Sequence, residues 1–376
     1  MSEASRDALA RAETVFGGPR HLAMVDHADR RGWPVPFSIA PVLALRGRRV
    51  AVLASGDPFW HGAGSVLADA LEPGEWRAYP APSVVSLAAA RLGWRLESVT
   101  VLGLHAAPPA RLRAHLAPGR RIIATLRDGA AVAELAAYLV AEGFGATALQ
   151  VMEALGGPGE RIRSLHATGP VPGDIGRLVT VALAVAGAGA VIPRASGIAD
   201  TFFAHDGQIT RRPVRALALS ALAPRGGELL WDIGAGSGSV GIEWLLAASD
   251  NRTIAIERDP ARAARARDNA ARLGVTGHEV REGAALDLIA GLPVPQAVFV
   301  GGGGDRALLD ALWHRLPAGC RLVVHAVTLE TEALLAAAQA AHGGNLLRIE
   351  LSEAAPLGTR RGWRAGFPVV QWSVTR

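Results

Sequence analysis

A glycine-rich turn between a strand and a helix restricts the fold of this chain more than any other feature. Residues 231–244 read WDIGAGSGSVGIEW and follow the apolar run that starts at Glu228. A strand that enters glycines and continues into a helix is a unit of open parallel sheets, and such turns bind ligands at the carboxyl ends of the strands. The turn therefore predicts a parallel α/β sheet with a small-molecule site at that edge.

Two ligands are compatible with the glycines. Gly236, Gly238 and Gly241 fit the dinucleotide pattern G-x-G-x-x-G, whereas Asp232, Gly234, Gly236 and Gly238 fit a loop that binds S-adenosylmethionine. An acid immediately before the turn would repel a pyrophosphate at the helix N-terminus, but it favours the ammonium or sulfonium of S-adenosylmethionine. Asp232 thus favours the methyl donor over NAD, and a purely structural turn remains the alternative.

Strands and helices are predicted to alternate along the whole chain, which is typical of parallel α/β folds. Glu257 ends the strand after the glycine turn, where the hydroxyls of a ribose need acceptors. The predicted strands are 49–54, 76–79, 98–104, 121–126, 178–185, 228–233, 253–257, 297–300 and 321–325. The predicted helices are 6–12, 65–71, 84–92, 130–142, 214–222, 261–273 and 306–312. A stretch rich in Gly and Pro precedes residue 213, so we expect domains over 1–192 and 213–376, joined by a linker and substrate-binding segment over 193–212.

Composition excludes several classes of chemistry. All 39 basic residues are arginine, which rules out a phosphate loop that needs lysine and any Schiff-base lysine. One cysteine, Cys320, allows neither an internal disulfide nor a thiolate metal cluster, and we expect no metal. The polar N-terminus and the short apolar runs predict a cytoplasmic protein that binds neither membrane nor nucleic acid. Spread arginines suit a polycarboxylate ligand, or they reflect codon bias.

The second half resembles a known family. In order it carries DGQITRRPVRALALSAL, LLWDIGAGSGSVGIEWL, AIERDP, VFVGGGG and LVVHAVTLET, and these segments are similar to the decarboxylating precorrin methyltransferases of cobalamin synthesis. The resemblance implies the Rossmann-like fold of class I S-adenosylmethionine-dependent methyltransferases. It also implies adenine contacts at Gly283 and Ala284 and substrate contacts at Gly302 and Gly303. His325, at the end of the strand 321–325, is a candidate acid or base beside this donor site, but a hydrogen-bonded structural role is the more usual one for a histidine at a strand end.

The first half resembles a different family. It carries VFGGPRHLAMV, VLASGDPFWHGAG, PAPSVVSLAAARLGW, LRDGAAVAELAAYL and VMEALGGPGERI, and it is similar to the tetrapyrrole methylases, within them to the precorrin carbon-5 methyltransferases. The resemblance implies two αβα lobes with the donor in the cleft between them. Members open with a strand and a glycine-rich turn, whereas this sequence opens at the first helix, so we expect that strand to be missing. The implied donor and substrate contacts are Ser55, Gly56, Asp57, Pro58, Ser83 and Asp128.

Together the two resemblances imply methylation of a precorrin-6 macrocycle at carbons 5 and 15, with loss of carbon dioxide from the acetate on ring C, to give precorrin-8. Arg211 and Arg212 are the arginines that we expect to hold substrate carboxylates, with a solvated turn as the alternative. We also expect a homo-oligomer. A methyltransferase of another substrate, such as RNA or a small metabolite, and a protein active in its C-terminal half alone are the alternatives.

Overall fold

The computed structural model describes all residues from 1 to 376. The chain separates into two compact units. The first comprises residues 1–107 and 118–189, and the second comprises residues 108–117 and 190–376. No helix is both long enough and apolar enough to cross a membrane.

The first unit contains two sheets. A small parallel sheet has the strand order β2-β1-β3, and a larger mixed sheet has the order β4-β5-β8-β6-β7. The strands are β1 Thr14–Gly17, β2 Arg30–Gly32, β3 Val50–Val52, β4 Val99–Leu104, β5 Arg121–Leu126, β6 Ala148–Glu153, β7 Arg161–His166 and β8 Val179–Ala184. The helices are α1 Glu3–Ala10, α2 Pro19–Leu22, α3 Ala40–Leu43, α4 Ala63–Ala68, α5 Val84–Leu92 and α6 Ala131–Ala141.

The second unit is built on one seven-stranded sheet in the order β11-β10-β9-β12-β13-β17-β14, in which β17 is antiparallel to both of its neighbours. Strands β15 and β16 form a separate hairpin. The strands are β9 Leu229–Ile233, β10 Arg252–Glu257, β11 His278–Glu282, β12 Ala297–Val300, β13 Arg321–Ala326, β14 Asn345–Ile349, β15 Ser352–Leu357, β16 Arg360–Ala365 and β17 Val369–Thr375. The helices are α7 Arg212–Leu222, α8 Ser239–Ala247, α9 Pro260–Arg272, α10 Ala285–Leu288, α11 Arg306–Arg315 and α12 Leu329–His342.

The order of the central strands positions a site in this second sheet. From β9 the chain moves outward through β10 to β11, and then returns to the other side of β9 at β12. The strand order therefore reverses between β9 and β12, and a crevice opens there at the carboxyl ends of the strands. Both faces of the central strands are buried, as expected for a parallel sheet covered by helices.

The α/β fold class is confirmed, and most predicted elements lie within a few residues of the observed ones. The strand predicted at 76–79 is wrong, because those residues are irregular and Trp76 is 38% exposed. Its neighbours Pro80 and Pro82 lack the backbone N–H that a paired strand needs. Nine strands were not among the predicted ones: β1, β2, β6, β7, β11, β14, β15, β16 and β17. Of these, β2 has only three residues and β7, β14 and β15 are largely exposed, so their segments carry little apolar signal.

Candidate functional site

The glycine turn after β9 holds a backbone that only glycine adopts without strain. Gly234, Gly236 and Gly238 have φ of 68°, 57° and 74°. A Cβ on Gly234 would lie 2.6 Å from the carbonyl oxygen of Gly302, so the glycine turn and the GGGG segment after β12 are in direct backbone contact. This contact lies where the strand order reverses, and it brings Gly234 together with the predicted substrate residues Gly302 and Gly303.

Asp232 lies beneath the turn and is almost fully buried. Its Oδ2 accepts a hydrogen bond of 2.9 Å from the backbone N–H of Gly241, in the first turns of α8. Its Oδ1 is buried and has no hydrogen-bond partner. Burial raises the pKa of the Asp232 carboxyl to about 7; the Gly241 bond opposes this rise and the charge of Glu257 adds to it. A buried carboxylate with an unpartnered oxygen is costly unless a ligand compensates it, so this position is suited to a cationic ligand.

Glu257 closes the turn from the neighbouring strand. Its Oε2 accepts a bond of 2.8 Å from Gly236 N–H, and its Oε1 accepts one of 2.9 Å from Asp259 N–H. Each carboxylate oxygen has a second lone pair, so both retain capacity for a hydroxyl donor. Gly283, at the end of β11, donates its N–H to the Glu257 carbonyl at 3.0 Å, which places Gly283 and Ala284 at the same sheet edge.

One residue that sequence reasoning missed connects the turn to the segment before α7. Asn269 on α9 donates 2.9 Å bonds to the carbonyls of Ser237 and Ala204, and its Oδ1 accepts 2.8 Å from Ala204 N–H. The carbonyl of Gln208 lies 3.8 Å from where a Cβ on Gly236 would be. The segment around residues 204–208 therefore lies beside the glycine turn. Asn269 is in a helix of ordinary composition, and nothing in its sequence context signals this role.

The same segment is anchored by a buried charge cluster. Arg215 on α7 is fully buried and donates to Glu243 at 2.5 Å and to Asp200 at 2.9 Å. Glu243 in turn accepts the backbone N–H groups of Gly197 and Ile198 at 2.6 and 3.1 Å. These bonds fix the backbone of residues 197–212.

The predicted substrate arginines lie at the end of that fixed segment. The side chain of Arg211 is 60% exposed, and Arg211 Nη1 lies 4.0 Å from Asp200 Oδ2. Arg212 begins α7 and is exposed. Both side chains are thus exposed, and the guanidinium of Arg211 lies at ion-pair distance from Asp200.

His325 occupies a different environment from the one predicted for an acid or base. It is 6% exposed, and its Nε2 lies 2.9 Å from Gln371 Oε1 on the paired strand β17. Phe299 packs against it edge to face at 4.9 Å. Burial lowers the pKa of His325, and the Gln371 bond partly offsets this. These contacts are those of a packed core residue, and the acid–base role stays a prediction.

In the first unit, the loop after β3 contacts the entrance to α5. Gly56, with φ of 60°, leaves room for the PAPS segment: a Cβ there would lie 3.0 Å from Pro82 O and from Ser83 Cα. Pro58 is enclosed in the same way, since a Cβ on Gly62 or Gly64 would lie 2.4 or 2.6 Å from its carbonyl oxygen. The structure therefore brings Ser83 to the loop that carries Ser55, Gly56, Asp57 and Pro58.

The polar side chains around this loop form hydrogen bonds with neighbouring residues. Ser55 Oγ lies 2.7 Å from Arg20 Nη2 and 2.8 Å from His21 Nε2, two residues of α2. Asp57 Oδ1 accepts the N–H of Phe59 at 2.9 Å and fixes the turn. Ser83 caps α5 by accepting Ser86 N–H at 3.1 Å.

Asp128 lies after β5 and helps to start α6. It accepts Ala131 N–H at 3.1 Å and pairs with Arg127 at 3.1 Å. The Arg127 hydrogen bond, followed by that of Ala131, lowers the pKa of Asp128. The two sheets of this unit thus contribute the two groups of predicted donor residues, Ser55–Pro58 with Ser83 from one and Asp128 from the other.

Comparison with known proteins identifies both halves. A family model described as "Tetrapyrrole (Corrin/Porphyrin) Methylases" matches residues 1–168, and one described as "Precorrin methyltransferase domain" matches residues 201–376. A Sinorhizobium protein named precorrin-6Y C(5,15)-methyltransferase [decarboxylating] is 46% identical over all of this chain and 93% of its own length. A Mycobacterium tuberculosis protein of the same name is 40% identical over all of this chain and 96% of its own. A solved C-terminal domain of precorrin-6Y C5,15-methyltransferase from Rhodobacter capsulatus is 50% identical over 49% of this chain and all of that domain, with a TM-score of 0.48.

Proposed function

The chain belongs to the family of precorrin-6Y C(5,15)-methyltransferases (decarboxylating) and is therefore a decarboxylating methyltransferase of cobalamin biosynthesis; we propose that each of its two units binds S-adenosylmethionine. In this proposal the first unit methylates carbon 5 of a precorrin-6 macrocycle. The second unit methylates carbon 15 and removes carbon dioxide from the acetate on ring C, and the product is precorrin-8.

The observation that carries the donor assignment is the unpartnered buried Oδ1 of Asp232 beneath a turn of left-handed glycines. The residues fit S-adenosylmethionine: Asp232 offers a negative charge to its ammonium, Glu257 offers acceptors to its ribose, and Gly283 with Ala284 lies at the edge where its adenine would bind. When bound, the donor supplies a methyl group on a positively charged sulfur. A pyrophosphate would meet a buried acid with no compensating cation, so a dinucleotide does not fit.

The chemical work left to the protein is positioning and the exclusion of water. The macrocycle can act as its own electron sink when the acetate loses carbon dioxide, so the chain needs to hold the carboxylates and orient the carbon that is methylated. Planar guanidinium groups pair with carboxylates through two parallel hydrogen bonds. We assign this role to Arg211 and Arg212, which follow within four residues of Gln208, whose carbonyl lies beside Gly236. Gly302 and Gly303 leave space for the macrocycle where a side chain would intrude.

The test is the mass of the product. Purified chain, given excess S-adenosylmethionine and a precorrin-6B-type substrate, is expected to consume two donor equivalents and to release one carbon dioxide. One methyl with decarboxylation intact would show that only the second unit is active, and no reaction with this substrate would point to another methyl acceptor. The double variant Arg211→Gln, Arg212→Gln is expected to raise KM for the macrocycle at least tenfold, since each lost charged hydrogen bond costs about 1.5–3 kcal/mol, with donor affinity unchanged.

We also propose that the chain forms a homo-oligomer through the β15–β16 hairpin. Its strands pair with each other alone, which leaves both edges open. Leu357 and Trp363 on the hairpin are 70% and 79% exposed, an unusual exposure for large apolar side chains. Trp363→Ser should lower the mass measured by light scattering, and a monomeric parent protein would contradict the proposal. The cytoplasmic location expected from the sequence stays a prediction.

A further inference from the structure

Two histidines meet in the first unit at the junction of its two sheets. His61 belongs to the loop after β3, which carries Ser55–Pro58, and His105 directly follows β4 in the larger sheet. Their rings lie 5.2 Å apart, edge to face. His105 Nδ1 lies 3.3 Å from Thr125 Oγ1, near the end of β5 and three residues before Asp128. His105 is therefore held between the two groups of residues predicted to bind the donor.

His61 adopts a backbone conformation that side chains other than glycine seldom take. Its φ is 53°, in the left-handed region. Its ring lies against the backbone of Gly103, where a Cβ would be 2.6 Å from His61 Nε2. The ring of Trp60 packs edge to face against it at 4.7 Å. The left-handed backbone of His61 and the absence of a side chain at Gly103 on β4 thus together place the His61 ring against His105.

The geometry leaves one nitrogen of His105 free. In the tautomer in which Nδ1–H donates to Thr125, Nε2 is the basic nitrogen, and His105 is exposed. Partial burial of the ring, with the charge of His61 as the second cause, lowers the pKa of His105. The free Nε2 of the neutral imidazole is the atom that can accept a proton. His61 is the titratable group in contact with it. Arg127, which follows β5, is engaged with Asp128 and Glu134 at 3.1 and 2.8 Å.

We propose that His105 is the general base of the carbon-5 methylation, and that His61 and Thr125 are positioning residues that orient it. This inference rests on the proposed function of the first unit. Carbon 5 is a bridge carbon that bears one hydrogen. Methyl transfer forms a bond from carbon 5 to the methyl carbon and breaks the methyl–sulfur bond, which leaves the sulfur neutral.

After that transfer, carbon 5 carries both a methyl group and its original hydrogen, and the positive charge lies on a conjugated ring nitrogen. His105 Nε2 takes the hydrogen as a proton. The electron pair of the carbon–hydrogen bond returns to the ring system and neutralises the nitrogen. No oxidant or further reactant is needed. The proton can leave to solvent because His105 is exposed.

The test measures the two methylations separately in the full chain. His105→Gln is expected to slow carbon-5 methylation about 100-fold, the lower range for loss of a general base, while carbon-15 methylation and decarboxylation continue. Substrate deuterated at carbon 5 should show little isotope effect in the parent protein and a several-fold effect in the variant, because proton removal then limits the rate. In His105→Ala, added imidazole should restore part of the lost rate. The matched control is His166→Gln, an exposed histidine at the end of β7.

Several results would overturn the proposal. A full rate in His105→Gln would do so, as would a slow variant that shows no isotope effect and no imidazole rescue, since that pattern describes a structural residue. Loss of donor binding to the first unit, measured as one donor bound per chain instead of two, would assign His105 to the donor site. If the parent protein itself fails to methylate carbon 5, the proposed function of the first unit fails instead.

Discussion

Replacement of Asp232 by asparagine tests the assignment of the donor site most directly. Burial raises the pKa of the Asp232 carboxyl to about 7, so half of the carboxyls are protonated at pH 7 before a donor binds. If the bound ammonium requires the carboxylate, the donor affinity scales with the ionised fraction, which falls about tenfold from pH 8 to pH 6. Binding should also release about half a proton per donor at pH 7.

The Asp232→Asn variant should show neither this pH dependence of donor affinity nor the proton release on binding. A hydrogen bond to a charged group is worth about 1.5–3 kcal/mol, so donor affinity is expected to fall about 10- to 150-fold and to lose the pH dependence contributed by Asp232. The unliganded variant should also be more stable at pH 8. Because the folded-state pKa of this acid lies above its unfolded value of 3.8, its contribution to stability falls as pH rises from about 4 to 7. Replacing the ionisable carboxyl by a neutral amide can therefore raise the free energy of unfolding at pH 8 by up to about 4 kcal/mol.

The assay is calorimetric titration of the full chain with S-adenosylhomocysteine, which retains the ammonium and is not consumed. Titrations in two buffers of different ionisation enthalpy report the proton release. The site in the first unit serves as an internal reference, and Asp250→Asn, an exposed aspartate just before β10, is the matched control. The asparagine variant also corrects for the titration of the ligand's own amine. Equal affinity and equal proton release in parent and Asp232→Asn proteins would refute the reasoning.

Three further predictions concern the second unit. Gly234→Ala places a Cβ 2.6 Å from Gly302 O at a φ of 68°. It should abolish carbon-15 methylation while carbon-5 methylation continues, as measured by the mass of the product. A variant that still methylates carbon 15 would contradict the close contact. Burial lowers the pKa of His278 to about 4, below its unfolded value of 6.5, so its contribution to stability is complete above pH 6.5 and is lost as pH falls towards 4. Between pH 7 and 5 the parent protein should therefore lose about 2 kcal/mol of unfolding free energy, measured in urea, relative to His278→Gln. The same pH dependence of unfolding free energy in both proteins would argue against this role of His278. Arg215→Met leaves Glu243 buried without its cation and should cost about 3–5 kcal/mol in thermal unfolding, whereas the exposed Arg211→Met should change stability by less than about 0.5 kcal/mol.

The sequence predicted those parts of the fold whose physical signals are local. The glycine turn, the strand before it and the Asp259-Pro260 start of α9 are each specified within a few residues, and the structure has them. Asp305 caps α11 by accepting Leu308 N–H at 2.8 Å, directly before the helix predicted at 306–312. Strand β17 could not be predicted in the same way, because its position between β13 and β14 depends on pairing with segments distant in sequence.

The residues of the candidate site likewise divide into those that a local sequence pattern indicates and those that only tertiary contacts reveal. Asp232 was selected because it directly precedes the turn, and the structure buries it there; its contact with the donor stays a prediction. Asn269, His61 and His105 were not selected, since the contacts that single them out are with segments distant in sequence. For His325, the position at a strand end favours a structural role over an acid–base role, and Gln371 and Phe299 enclose its ring. Contacts between distant segments are set by topology, which local pattern does not encode.

The backbone contact between Gly234 and Gly302 limits how this site can change. Where two loops meet through side chains, substitution can widen or tilt the gap between them in small steps. Here no side chain lies between the loops, so any side chain at Gly234 would collide with the backbone of Gly302, whereas a Cβ on Gly302 would meet nothing within 4 Å. A variant enzyme that accepts a differently shaped macrocycle would therefore arise from changes at Gly302 or at the rim, in residues 204–212. The Gly234 side of the site would stay constant while its other border diversified.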